Sequence, residues 1–342
     1  MRTITAVSLS IFILFLLAAC QQKPEPVDGG FVIGDYALVP RESSLHIVNI
    51  ADASKPRFTT LVKMPGYVDD LDIFGDQAYV NYLIGSPSSG YYPGGLQIVD
   101  VSDPREPALR QALEQNTMTN DFLVTGDEGF RADYLGIKQL NMQNPTSADA
   151  MFGTRAVALS RKDDDLFGLW GGCGFRTPIC YMELTRYDLS DTTNITATAV
   201  FTSTVMPGYD VLTIDQFAII GGWGVGVIDM SQTPLTLNSH ISYEDTGNLY
   251  FVTQLAHQGN ILYVLQDRVL HLLDTSNLPQ LTEVSAVEMA YPFPHLTVRG
   301  DYAYIAGEYI YDSAPAAGLF IVDVADAERP FVASYYDALT QP

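Results

Sequence analysis

Three aspartates and one histidine, Asp70, Asp121, Asp210 and His295, each stand five residues ahead of a recurring tight turn, at Gly75, Gly126, Asp215 and Gly300. Carboxylates and an imidazole from separate segments can converge on Ca2+ or another hard cation, or on a metal that activates water for hydrolysis. The same groups at the start of strands can instead line a water-filled channel or satisfy turns. Gln254 shares their position, and the preceding one holds Asp69, Asn120, Tyr209 and Thr253. The set is therefore polar and largely acidic. No compact loop of alternating acidic residues accompanies it, which sets a metal at Asp70, Asp121, Asp210 and His295 behind the channel reading.

The aromatic residues supply a second chemistry. The longest interruptions of the pattern are 84–95, which holds Tyr91 and Tyr92, 171–180, and 307–318, which holds Tyr309, while Trp170 and Trp223, the only tryptophans, fall where the second strand of a unit meets the corresponding loop. Rings beside carboxylates can cradle a cation, a cationic peptide or a sugar, or can simply pack. Cys173 and Cys180 close a short segment, GGCGFRTPIC, and in an exported chain such a pair is most simply a disulfide. A zinc site would need a second pair of ligands. There is no HExxH, GxSxG, P-loop or dinucleotide fingerprint, and GGWGVGV has the wrong glycine spacing. His46 and His271 share one repeat position with Gln97, Lys138 and Phe320, which points to placement by the fold.

What must position these groups is a repeat. Seven aliphatic runs end in Asp or Asn, at Asn49, Asp100, Asn141, Asp188, Asp229, Asp274 and Asp323. They recur at intervals of roughly 40 to 50 residues, the period of four-stranded units. A Gly-Asp or Gly-Asn turn between apolar runs precedes most of them, and unit four offers only DDDLFGL from Asp163. Each unit reads as strand, turn, strand, variable loop, strand, turn, strand. One such unit cannot bury both faces of its sheet, whereas stacked neighbours bury one another. The expectation is an all-β, seven-bladed β-propeller of four-stranded antiparallel blades over residues 29–342. The first strands then line a channel whose mouth carries Asp69, Asp70, Asp121, Asp210 and His295, on the same face as the long loops.

At LQIVDVSDPREP and LFIVDVADAERP the chain resembles the LVIVD-repeat family of exported bacterial and archaeal propellers. The resemblance spans roughly residues 27 to 340 and is strongest in units one, two and seven. It implies a propeller scaffold, often at the cell surface, and transfers no catalytic residue.

The N-terminus adds a location. Arg2, an apolar run from Ile4 to Ala19 and LAAC read as a secretory signal too short for a membrane span. LAAC resembles the bacterial lipobox, which implies a signal peptide at 1–19, a diacylglyceryl group on Cys20 and a tether over 20–28. Gln21 is similar to the residue that follows the cysteine in outer-membrane lipoproteins. The formal charge of −22 argues against nucleic acid and against electrostatic attraction to anionic lipid, so the lipid itself must hold the chain at the membrane. The expected function is a non-enzymatic binding or scaffolding module for an extracytoplasmic protein, peptide or glycan. No cofactor is required by this reading. A metal-assisted, lactonase-like hydrolase on the rim and a structural or adhesive surface component are the alternatives.

Overall fold

The computed structural model describes residues 30–84, 94–115, 119–125, 128–133, 135–142, 150–173, 180–204, 206–242, 252–309 and 315–341. They form seven four-stranded antiparallel sheets, each built from four consecutive strands. The blades cover residues 32–63, 67–115, 119–152, 158–203, 208–242, 252–288 and 295–337. The seven-bladed β-propeller expected from the repeats is the fold.

Two local devices that the repeat spells out recur among the described residues of blades 1, 2, 4, 5, 6 and 7. The turn joining the first and second strands needs a positive φ, supplied by Gly34, Gly75, Gly259 and Gly300 at +54 to +63°. Asp163 and Asp215 take the same conformation at 53° and 49° in blades 4 and 5, so the degenerate unit four builds the same turn. Aspartate tolerates this region because its short side chain can bond locally. The second device is the Asp or Asn that ends each third strand. Its Oδ1 accepts the amide two residues on, as in Asp100 to Ser102 (2.9 Å), Asp188 to Ser190 (2.8 Å) and Asp274 to Ser276 (2.8 Å). The residue between them donates back to the first turn, as Val101 does to Asp76 O (2.9 Å) and Val324 to Asp301 O (2.8 Å). The two motifs that recur in sequence are thus bonded to each other in every complete unit, which is why they recur together.

Apolar second and third strands fill the space between blades, and the largest core cluster joins blades 7, 1 and 2 through Leu38, Leu45, Ile47, Val80, Leu319 and Ile321. Each terminal blade owns all four of its strands, so no strand is shared across the closure. Side chains close the seam instead. Thr297 Oγ1 accepts the amide of Phe31 (3.1 Å), and Glu308 Oε2 accepts both the Glu42 amide (2.8 Å) and the Tyr67 hydroxyl (3.0 Å). Arg41 Nη1 donates to Ala338 O (2.8 Å), and His46 Nδ1 meets the Tyr336 hydroxyl at 3.2 Å. Burial, with Arg41 and Lys63 nearby, lowers the His46 pKa to about 4, so it is a neutral core histidine.

Gly30 lies at this closure with φ +78°, and a Cβ there would fall 2.2 Å from Thr297 Oγ1. Gly75 has φ +59° with nothing within 4 Å of the same position. Gly75→Ala should therefore cost only the left-handed backbone term, about 1–2 kcal/mol. Gly30→Ala should cost roughly a further 1–3 kcal/mol for the clash. Urea denaturation of the two variants checks the difference, and equal losses would mean that the seam is loose.

Candidate functional site

The mouth of the channel is built from the first strands. Tyr67, at the start of its strand, pairs with Leu83 at the end of the second, so the first strands begin on the face where the second-to-third loops emerge. In blades 2, 3, 5 and 6 the ladder shifts just before the acidic column, between Val68 and Asp70, at Asn120, between Gly208 and Asp210, and between Val252 and Gln254. Asp69, Asn120, Tyr209 and Thr253 are the extra residues of these β-bulges. A bulge bends the strand and re-aims the next side chain.

That re-aimed side chain reaches the neighbouring blade. Asp121 Oδ2 accepts the amide of Leu159 in blade 4 (2.6 Å) while its Oδ1 accepts that of Phe122 (2.6 Å). Asp210 repeats the arrangement with Leu255 in blade 6 (2.6 Å) and Val211 (2.8 Å). Gln254 Oε1 accepts the amide of Leu296 in blade 7. The other junctions use different groups for the same purpose. Asp72 Oδ1 takes the Gly30 amide (2.7 Å), Asn81 Nδ2 donates to Thr119 O (3.1 Å), and Ser160 Oγ donates to Thr213 Oγ1 (3.3 Å). With Thr297 and Phe31, every junction of the ring carries such a bond.

Asp70 departs from this pattern. Its carboxylate faces His295 of blade 7 instead, with Oδ1 3.6 Å from Nδ1. Blade 1 lies between them and presents only the short first strand Val32–Ile33. Asp69 Oδ2 accepts from Asn81 Nδ2 (3.2 Å). Low solvation, helped by neighbouring carboxylates, raises the proton affinity of Asp69, Asp72, Asp121 and Asp210. Burial first, then the charge of Asp70, lifts Asp69 to about 7. Asp72 rises to about 8 through burial and Asp70, against the pull of the Gly30 amide. Burial takes Asp210 to about 7 although two amides oppose it, and Asp121 rises well above its ordinary value through burial and its neighbours Asp70 and Asp72. His295 is lowered by burial, with Asp70 opposing. Among the described residues, no three His, Cys, Asp or Glu side chains are placed to hold a metal ion together.

The aromatic candidates separate into two kinds. Trp170, on the second strand of blade 4, is partly buried, and the Arg155 guanidinium stacks 4.3 Å from its ring centroid. Opposite it stands Glu183, which accepts from the Tyr181 hydroxyl (2.6 Å) and the Thr154 hydroxyl (3.3 Å). Trp223 is partly buried in the tight connection between the second and third strands of blade 5, and Tyr309 packs on the core of blade 7. Cys173 and Cys180 face each other in the register of blade 4, at the strand ends nearest the mouth. Tyr91, Tyr92 and Cys20 lie outside the described residues. Sequence reasoning missed Asp72 and Thr297. Both sit two residues beyond the acidic column, on the same side of their strands, and period-2 alternation was the signal that could have found them.

Against known proteins, the LVIVD repeat family matches at residues 31–63, 90–113 and 295–338, in blades 1, 2 and 7. No curated protein matches the chain. Among solved structures, a functionally unknown protein from Desulfotomaculum acetoxidans aligns over 89% of this chain and 99% of its own, at TM-score 0.59 and 12% identity. A protein from Bacteroides uniformis, provisionally described as a 6-phosphogluconolactonase, aligns over 91% and 94% at TM-score 0.60 and 12% identity. A Lactobacillus plantarum protein aligns over 90% and 94% at TM-score 0.56 and 12% identity. These likenesses establish the propeller and no activity. The chain is a seven-bladed β-propeller carrying LVIVD repeats.

Raised carboxyl pKa values mean that the folded channel binds protons which the unfolded chain releases. Their contribution is complete below the ordinary carboxyl pKa and is lost as pH rises through 7 to 8. Above the ordinary histidine pKa of 6.5, where folded and unfolded histidines are both neutral, stability should therefore keep falling as pH rises to about 8 and level off once these carboxyls have ionised. Asp72→Asn should flatten that slope in urea denaturation, and an unchanged slope would place the titration elsewhere. Asp121→Ala should cost about 2–3 kcal/mol by stranding two amides, whereas Asp121→Asn keeps a carbonyl acceptor and should lose less.

Proposed function

We propose that the protein is a lipid-anchored, extracytoplasmic binding or scaffolding module that holds a protein, peptide or glycan on its mouth face and performs no catalysis. The observation that carries this reading is the blade 4 cluster, in which an arginine, a tryptophan, a tyrosine and a glutamate meet at the mouth. A stacked ring beside paired polar groups suits a sugar or a peptide side chain. The acidic column supports the same reading, because both oxygens of Asp121 and of Asp210 are engaged by backbone amides. A hydrolase would need them for metal or water.

In this proposal the signal peptide is cut before Cys20, the lipidated cysteine holds the domain at a bacterial outer membrane, and Cys173 and Cys180 form a disulfide that ties the blade 4 loop. Two or more acyl chains give a stable anchor where one would not. Gly30 is bonded within the channel wall, to Asp72 and to the Ile73 amide (2.9 Å). The first strands run away from the mouth, so the tether would join on the mouth side. Residues 21–29 span at most about 30 Å at roughly 3.3–3.6 Å per residue. A partner on the mouth face would be met close to the membrane.

The test has two arms. Cys20→Ser should release the protein from membranes, and retention in the membrane fraction would refute the anchor. On glycan and peptide arrays, Trp170→Ala should weaken retention by roughly tenfold or more, the scale of a lost aromatic anchor. Lactone turnover that depends on a divalent metal and disappears in Asp70→Ala would instead make the protein a hydrolase.

A further inference from the structure

Arg131 is the one arginine or lysine that is fully buried among the described residues, at 6% exposure. It lies on the second strand of blade 3, Glu128–Asp133, opposite Phe122 on the first strand and Lys138 on the third. Strand alternation puts these residues on the face turned to blade 2, where Phe122 packs against Tyr79 with ring centroids 5.7 Å apart. Asp133, two residues on and wholly buried, is the nearby carboxylate.

The bonding of Asp133 does not call for Arg131. Its Oδ1 accepts the amides of Leu135 (2.7 Å) and Gly136 (3.1 Å), and its Oδ2 meets Lys138 Nζ at 2.9 Å. Arg131 approaches that same Oδ2 only through Nη2, at 3.6 Å. Its buried Nε has no hydrogen-bond partner. A guanidinium carries five donors and stays protonated, so burying one beside a carboxylate already satisfied costs more than burying an apolar side chain of the same size. The cluster holds two cations and one anion. Buried polar groups in folded proteins are bonded, and one that is not calls for a reason, a bound ion among them.

We propose that Arg131 and Lys138 form an anion site in the seam between blades 2 and 3, taking the carboxylate or phosphate group of a small ligand. The planar fork of Arg131 matches two oxygens of such a group. Asp133 fixes Lys138 and prevents the two cations from repelling each other apart. Lys138, with its side chain 17% exposed, marks the way in from solvent. This site is separate from the Trp170 cluster and from the channel carboxylates, and stands whether or not they bind a partner.

Inorganic phosphate and acetate, each titrated at constant ionic strength against a chloride background, are the probes. Calorimetry on the intact protein should give saturable binding of one anion, accompanied by a higher melting temperature. Arg131→Met keeps the volume and should weaken that binding by roughly tenfold or more, the scale of a lost charge-assisted hydrogen bond. Should Arg131→Met fail to fold, Lys138→Met provides the same comparison. Binding of phosphate alone or acetate alone assigns the ligand group. No saturable binding of either would overturn the site and leave the guanidinium to water, and equal binding in both variants would mark an adventitious surface ion.

Discussion

The ring depends chiefly on one kind of contact, found at five of its seven junctions: a side chain on the first strand of one blade accepting a backbone amide of a neighbouring blade. The inner edges of the first strands carry amides that no neighbouring strand pairs. Leaving them unpaired would cost each blade a buried donor. Asp121, Asp210, Gln254, Asp72 and Thr297 each satisfy one such amide on a neighbouring blade and so fix the angle between sheets. The apolar faces supply most of the free energy, but they would tolerate sliding. The polar bonds fix the register.

This architecture has an electrostatic consequence. The acceptors that suit the inner edge are carboxylates, and gathering them around one axis concentrates negative charge where solvent is scarce. Burial, with a smaller contribution from the charge of Asp70, favours the protonated form and lifts Asp69, Asp72 and Asp210 to about 7 to 8. Asp70 and His295, both members of the column, turn toward each other across blade 1. The acidic mouth is thus first a device of construction. In the proposed function, recognition falls instead to blade 4, where Trp170, Arg155, Tyr181 and Glu183 meet.

Much of this was legible in the sequence, and the division follows the range of each interaction. The Asp100 and Asp323 side chains bond amides two residues away, so their motif is contiguous and repeats visibly. The column of Asp70, Asp121, Asp210 and His295 could be aligned from the turns, yet its partners could not. The Asp121–Leu159 and Asp210–Leu255 bonds join residues 38 and 45 positions apart and depend on the angle between blades. The bulges at Asp69, Asn120, Tyr209 and Thr253 leave no compositional mark, since an extra polar residue at a strand start looks like loop. Tyr309 read as a loop residue because it adjoins a long insertion, but the second strand of blade 7 extends to include it and turns it onto the core. Arg131 gave no signal at all, because a single arginine between apolar residues in a strand reads as a solvent-facing position.

Amide hydrogen exchange tests the central claim most directly, read residue by residue in the wild type and in the Asp121→Ala and Asp210→Ala proteins. The bonds across the junctions predict paired, local losses of protection: Leu159 in the first variant with Leu255 unaffected, and Leu255 in the second with Leu159 unaffected. Unchanged protection of Leu159 and Leu255 in both variants would contradict the account, and would mean that apolar packing alone sets the junctions between blades.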